Sequence, residues 1–193
     1  MKSQILRFLN DLNTSLTPLA GDDRLDLYHI GRSALVWKYG FAAATQDIDV
    51  VTPLRDSRLM KEAVRLFGKG STKSREHGLY LEEVPPGLPP LPGGCYNRAT
   101  EVDERWSVIR LYHLEVHDLT VTKLKRFSLK DQEDIQGICD LGVLDPGTLQ
   151  ERVEAAYWLT HEKDGDPGRE AAFASLRVVK RYLSEGIWKL SKD

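Results

Sequence analysis

The chain has 193 residues, with 27 Lys and Arg against 29 Asp and Glu and a formal net charge of −2. Hydrophobic residues make up 41% and charged residues 29%, the balance of a folded globular protein rather than a disordered one. These numbers exclude a nonspecific nucleic-acid coat, which needs an overall basic field. Two cysteines, Cys95 and Cys139, exclude a disulfide framework and read as reduced thiols. No apolar run approaches the roughly 18 residues of a membrane span. The opening MKSQILRFLNDLNTSL lacks a secretory apolar core. The chain therefore reads as soluble and cytoplasmic, with no membrane partner.

In chain order, Ile5, Leu6, Leu9, Leu12 and Leu16 mark one face of an opening helix. Gly21-Asp22-Asp23 is a turn, and Leu25 to Ile30 reads as a short strand ending at Gly31. Ser33 to Tyr39 reads as a helix closed by Gly40, and Asp47 to Thr52 as a β-branched strand stopped by Pro53. Ser57 to Phe67 is an amphipathic helix. The segment GKGSTKSRE reads as a basic loop carrying Lys69, Lys73 and Arg75, and Leu79 to Val84 as a further strand. PPGLPPLPGG, residues 85–94, is a stiff connection. Ser107 to Val116 reads as the last strand. Helical patterning then covers Leu119 to Phe127, Gln132 to Leu141, Thr148 to His161 and Glu170 to Gly186. The expected fold is α+β: a mixed β-sheet packed with helices over residues 1–117, then a helical part over residues 118–193.

The chemistry concentrates in LYHIGRSALVWKYGFAAATQDIDVV. A strand runs into Gly31, a small residue, Ser33, opens a helix, and a second strand carries Asp47 and Asp49. Positions i and i+2 of a strand share a face, so the two carboxylates point the same way. Such a pair repels unless a cation lies between, and a hard cation such as Mg²⁺ suits carboxylates plus substrate phosphates. A glycine turn at a helix start offers backbone N–H groups and a positive dipole end to a phosphate. On the next strand Leu79 and Leu81 alternate with Tyr80 and Glu82, making Glu82 the candidate third carboxylate and Glu83 its alternative.

This combination resembles the polymerase-β-type nucleotidyltransferase superfamily, whose signature is an hG[GS] turn followed by a Dh[DE]h strand. Here these are Ile30-Gly31-Arg32-Ser33 and Asp47-Ile48-Asp49-Val50. The resemblance implies that Gly31, Arg32 and Ser33 bind the triphosphate of an NTP. It also implies that Asp47, Asp49 and a third carboxylate hold two Mg²⁺ ions, with the third acid activating the attacking hydroxyl. Arg32 departs from the pattern, which has a small residue there. A second segment, HDLTVTKLKRFSLKDQEDI, is similar to one in bacterial nucleotidyltransferase-like proteins akin to the AbiEii toxins. Its matching residues are Asp118, Leu119, Lys123, Leu124, Arg126, Lys130, Asp131, Asp134 and Ile135. That likeness implies that Lys123 approaches the nucleotide phosphates and that Asp131 or Asp134 helps fix the helical part. It also implies a toxin-like role beside a separately encoded antitoxin, with an RNA, protein or small-molecule acceptor. Loss of catalysis, leaving a binding or scaffold protein, is the alternative function.

Other signals carry less. His113, Glu115 and His117 alternate in YHLEVH. On one straight strand they would span about 13 Å, too far for a single ion. GKGST lacks the GxxxxGK[ST] spacing of a phosphate loop. Cys139 falls on an apolar helix face, where a thiol packs rather than reacts.

Overall fold

A computed structural model of the chain describes residues 1–53, 57–85, 87–158 and 166–188. Its contacts divide the chain into two compact units: Met1–Pro86 with Ala99–Leu114, and Gly87–Arg98 with Glu115–Asp193.

The first unit holds α1 (Lys2–Ala20), β1 (Leu25–His29), α2 (Gly31–Tyr39), β2 (Asp47–Val51), α3 (Arg58–Phe67), α4 (Thr72–His77) and β3 (Tyr80–Glu83). After a passage through the second unit, the chain returns to it as β4 (Thr100–Glu101) and β5 (Ile109–His113). The five strands form one mixed sheet in the order β3-β2-β1-β5-β4. β1 runs antiparallel to β2 and parallel to β5, and β2 runs parallel to β3.

The core follows the apolar spacing. α1 buries Ile5, Phe8, Leu9, Leu12 and Leu16, one stripe at three- and four-residue intervals. The helix continues through Pro18 to Ala20, one turn past the expected face. The stripe joins Leu25 and Leu27 of β1, Ile48 and Val50 of β2, Leu81 of β3 and Phe67 of α3 in one cluster. Asn13 ties α1 to the last strand, its Oδ1 accepting from the backbone N–H groups of Val108 and Ile109 at 2.9 and 3.3 Å.

The basic loop holds as a turn over residues 68–71 and becomes a helix from Thr72. Ser71 caps α4 by accepting from Ser74 N at 3.0 Å, and Gly78 closes it at φ 65°. A serine cap and a left-handed glycine suffice to hold six residues helical. Lys73 Nζ lies 2.9 Å from Asp11, so one of the three cations neutralises α1.

The expected strand over residues 107–116 is shorter than its pattern. It stops at His113, because Glu115 caps the following helix and accepts from His117 N at 3.0 Å. His113 thus ends a strand while His117 sits in a helix, its Nδ1 2.7 Å from Glu115 Oε1. His117 Nε2 accepts from Asp145 N at 2.9 Å. Both ring nitrogens are engaged by protein groups.

The second unit holds α5 (Cys95–Arg98), α6 (Val116–Leu124), α7 (Leu129–Asp140), α8 (Pro146–Trp158) and α9 (Pro167–Glu185). The expected end of α8 at residues 159–161 lies outside the described residues. Ser128 and Asp131 form a capping box on α7, and Asp166 caps α9 ahead of Pro167. Buried charges here come in pairs. Asp118, fully buried, accepts two 2.9 Å bonds from Arg98 and lies 3.5 Å from Arg152. Lys123 Nζ is 2.8 Å from Asp134, and Arg126 grips Asp131 at 2.8 and 2.9 Å. Removing one member of such a pair would strand a charge in the interior.

Two histidines of the first unit are buried side by side. His29 of β1 lies opposite His113 of β5, with ring centroids 5.3 Å apart. Burial, with the charges of Lys38 and Lys2 second, pushes the His113 imidazole down from 6.5 to about 4. The folded group therefore stays neutral while the unfolded chain takes up a proton near pH 6.5. Between these values the unfolded state binds more protons, so stability falls as pH drops from 6.5 toward 4. The loss from this group reaches on the order of 3 kcal/mol. Denaturant titrations from pH 7.5 to 4.5 are expected to show that slope, and His113→Leu is expected to flatten part of it.

Candidate functional site

β2 alternates as its sequence requires. Ile48 and Val50 are fully buried, while Asp47 and Asp49 are half-buried and share the opposite face. β3 lies in parallel register, pairing Asp47 with Tyr80 and Asp49 with Glu82. Leu81 is buried beneath it, and Glu82 is exposed on the face that carries the aspartates. One carboxylate oxygen from each of Asp47, Asp49 and Glu82 lies within 4.8 Å of the others. The alternative acid, Glu83, turns to Thr52, whose hydroxyl donates to Glu83 Oε1 at 3.0 Å.

The neighbours of the trio keep it oriented. The Thr45 hydroxyl donates to Asp47 Oδ1. Tyr80 shares their face with Lys69 Nζ over its ring, 5.6 Å from the centroid. Burial raises the Tyr80 phenol, and the charges of Asp47, Glu82 and Asp49 add to that effect. All three carboxylates thus act on one adjacent group. Three like charges so close favour a divalent cation, and an all-oxygen donor set suits Mg²⁺, which keeps waters and substrate phosphates as its remaining ligands. The residues present fit that ion.

The glycine turn meets the trio directly. Ile30 N donates to Asp49 O at 2.9 Å, and Gly31 follows at φ 70° as the first residue of α2. A Cβ on Gly31 would collide with the Asp49 carboxylate. Ile30, at the N-cap, offers no side-chain hydrogen bond to the helix start. A helix start of this kind carries the positive end of the helix dipole, which suits an anion. Arg32 is half-buried in that first turn. Ser33 is fully buried, its Oγ 2.8 Å from His29 Nε2. Its hydroxyl faces the interior and braces the turn from beneath.

Among the residues expected from the sequence, Gly31, Arg32, Ser33, Asp47, Asp49 and Glu82 all belong to the first unit, and Lys123 belongs to the second. Lys123 is buried, with Asp134 at 2.8 Å and Asp131 at 3.9 Å. Thr45 and His29 join the site without a mark in the sequence. A threonine two residues before an acid carries no distinctive signal, and a histidine in an apolar strand reads as core.

A mixed sheet that gathers three carboxylates beside a glycine-started helix is the arrangement of a nucleotidyltransferase. Comparison with known families agrees: the family described as nucleotidyltransferase of unknown function (DUF6036) matches residues 7–172. The chain belongs to that family. Neither the curated proteins nor the solved structures gave a significant match.

The contact between Gly31 and Asp49 can be tested against Gly40. Both glycines have φ near 70°, but a Cβ on Gly40 meets nothing within 4 Å. Each alanine variant bears the cost of a left-handed backbone, about 1 kcal/mol. Gly31→Ala is expected to lose a further 1–2 kcal/mol or so in denaturant titrations. It is also expected to weaken Mn²⁺ binding in calorimetry, whereas Gly40→Ala leaves that binding unchanged.

Proposed function

We propose that the protein is a metal-dependent nucleotidyltransferase that moves a nucleotidyl group from an NTP to a hydroxyl-bearing acceptor. The observation that carries this reading is the meeting of Asp47, Asp49 and Glu82 within 4.8 Å, against a helix that starts at Gly31. In this reading the N–H groups of Gly31, Arg32 and Ser33 take the β- and γ-phosphates, and the Arg32 guanidinium adds positive charge. Asp47 and Asp49 hold Mg²⁺, two ions in the full complex, and Glu82 completes the ligand set or accepts the proton of the attacking hydroxyl. Bound Mg²⁺ supplies charge neutralisation at the reacting phosphate and at the departing pyrophosphate. The protein's part is to fix geometry, because phosphoryl chemistry of this kind depends on positioning and electrostatics. Lys123 is paired with Asp134 and Asp131 within the second unit.

Thermal shifts with each common NTP, with and without Mg²⁺, test the reading. Ligands that bind the folded state raise the midpoint by mass action. The wild type is expected to show a Mg²⁺-dependent rise that Asp47→Asn and Asp49→Asn each abolish. Both variants should still unfold in one cooperative transition without ligand, so that a lost rise reports lost binding. A Mg²⁺-dependent rise that survives both substitutions would refute the assignment.

The likeness of residues 118–135 to AbiEii-type toxins supports a toxin-like role with a separately encoded antitoxin and an RNA or protein acceptor. Expression in a bacterial host is then expected to arrest growth, and Asp49→Asn to restore it. Equal growth with and without the substitution would remove the toxin role.

A further inference from the structure

The turn that faces the carboxylates is braced from beneath by a residue outside the motif. His29 ends β1 and Ser33 lies in the first turn of α2, so the two bracket Ile30, Gly31 and Arg32. Their Nε2 and Oγ atoms are 2.8 Å apart, and both side chains are fully buried. The hydrogen bond therefore closes a ring around the turn whose glycine packs on Asp49. The imidazole has little freedom to leave it. His29 stacks on His113 with planes 29° apart, and it lies between Val50 on one neighbouring strand and His113 on the other.

The direction of this hydrogen bond follows from the burial. Desolvation, with His113 as a second cause, keeps the His29 imidazole neutral, so it carries a single N–H. Its Nδ1 is buried and has no hydrogen-bond partner among the described residues. An orphaned buried N–H is rarer than an under-used acceptor. The proton therefore resides on Nε2, and His29 donates to Ser33 Oγ. An apolar side chain would fill the same space without leaving a ring nitrogen unpartnered, so a polar group is held here for the bond it makes.

We propose that His29 is a positioning residue of the nucleotide site. Its Nε2–H, donated to Ser33 Oγ, fixes the first turn of α2 and with it the backbone N–H groups that meet the substrate's phosphates. The inference rests on the phosphate-binding reading of that turn and adds to it a residue that the signature does not contain.

The experiment measures affinity for the four common Mg·NTPs by calorimetry in five proteins: wild type, His29→Leu, His29→Gln, Ser33→Ala and the His29→Leu/Ser33→Ala double variant. Glutamine carries an amide N–H near the place of Nε2. His29→Leu is expected to weaken binding on the order of tenfold, the worth of one ordinary hydrogen bond. His29→Gln is expected to recover most of the loss. In the Ser33→Ala background His29→Leu is expected to add little, because the partner has gone. A purely structural histidine would lower the unliganded melting point of the His29→Leu and His29→Gln variants and leave affinity unchanged. It would also give the same penalty in both backgrounds. Either result overturns the proposal.

Nitrogen NMR of the wild-type imidazole supplies a readout that needs no variant to fold. A protonated Nε2 with a bare Nδ1 supports the proposal, and the opposite tautomer overturns it. If the wild type binds no Mg·NTP, the nucleotidyltransferase reading fails and the positioning role falls with it. If the wild type binds and His29→Leu binds equally well, the positioning role fails alone.

Discussion

The contact on which the site depends is the approach of Gly31 to Asp49. The backbone leaves β1, turns at a left-handed glycine and starts α2 with no side chain between helix start and carboxylate. This closeness puts a positive helix end and a negative group side by side, the pairing that a metal-bound polyphosphate requires. The same turn is tied to β2 by the Ile30–Asp49 backbone bond and to β1 by His29 and Ser33. Helix start, Asp49 and sheet are thus one mechanical piece. A residue with a Cβ at position 31 would separate them.

The two units treat charge differently. In the second, each of the buried acids Asp118, Asp131 and Asp134 has a cation in hand, and the burial penalty is offset inside the protein. In the first, three carboxylates converge on the side of the sheet away from the apolar core, at the end of β1 where the helix begins. Gathering like charges lowers stability unless function returns it.

Much of this was legible in the sequence, for physical reasons. Alternation in DIDVV and LYLEE set which residues face the core, and strand pairing then brought Asp47, Asp49 and Glu82 together. The choice of Glu82 over Glu83 followed from the period of two, since the next residue points elsewhere and meets Thr52. Capping chemistry was less visible. Ser71 and Gly78 turn the basic segment into α4, and Glu115 cuts the last strand short, because a local hydrogen bond outweighs an extended pattern. β4, two residues long, has no period to detect. The roles of Asp118 and Lys123 depend on partners 11 to 34 positions away, as with Arg98, Arg152 and Asp134, and spacing along one helix does not reveal them. His29 was hidden for the same reason: its importance lies in what it touches.

The central claim is that these three carboxylates hold metal together with a nucleotide. The most direct measurement is anomalous diffraction from crystals grown with Mn²⁺ and a non-hydrolysable NTP analogue. The account predicts a metal peak bridging Asp47, Asp49 and Glu82, with the triphosphate lying against the first turn of α2. A nucleotide bound elsewhere in the chain, with no metal between these carboxylates, would contradict it.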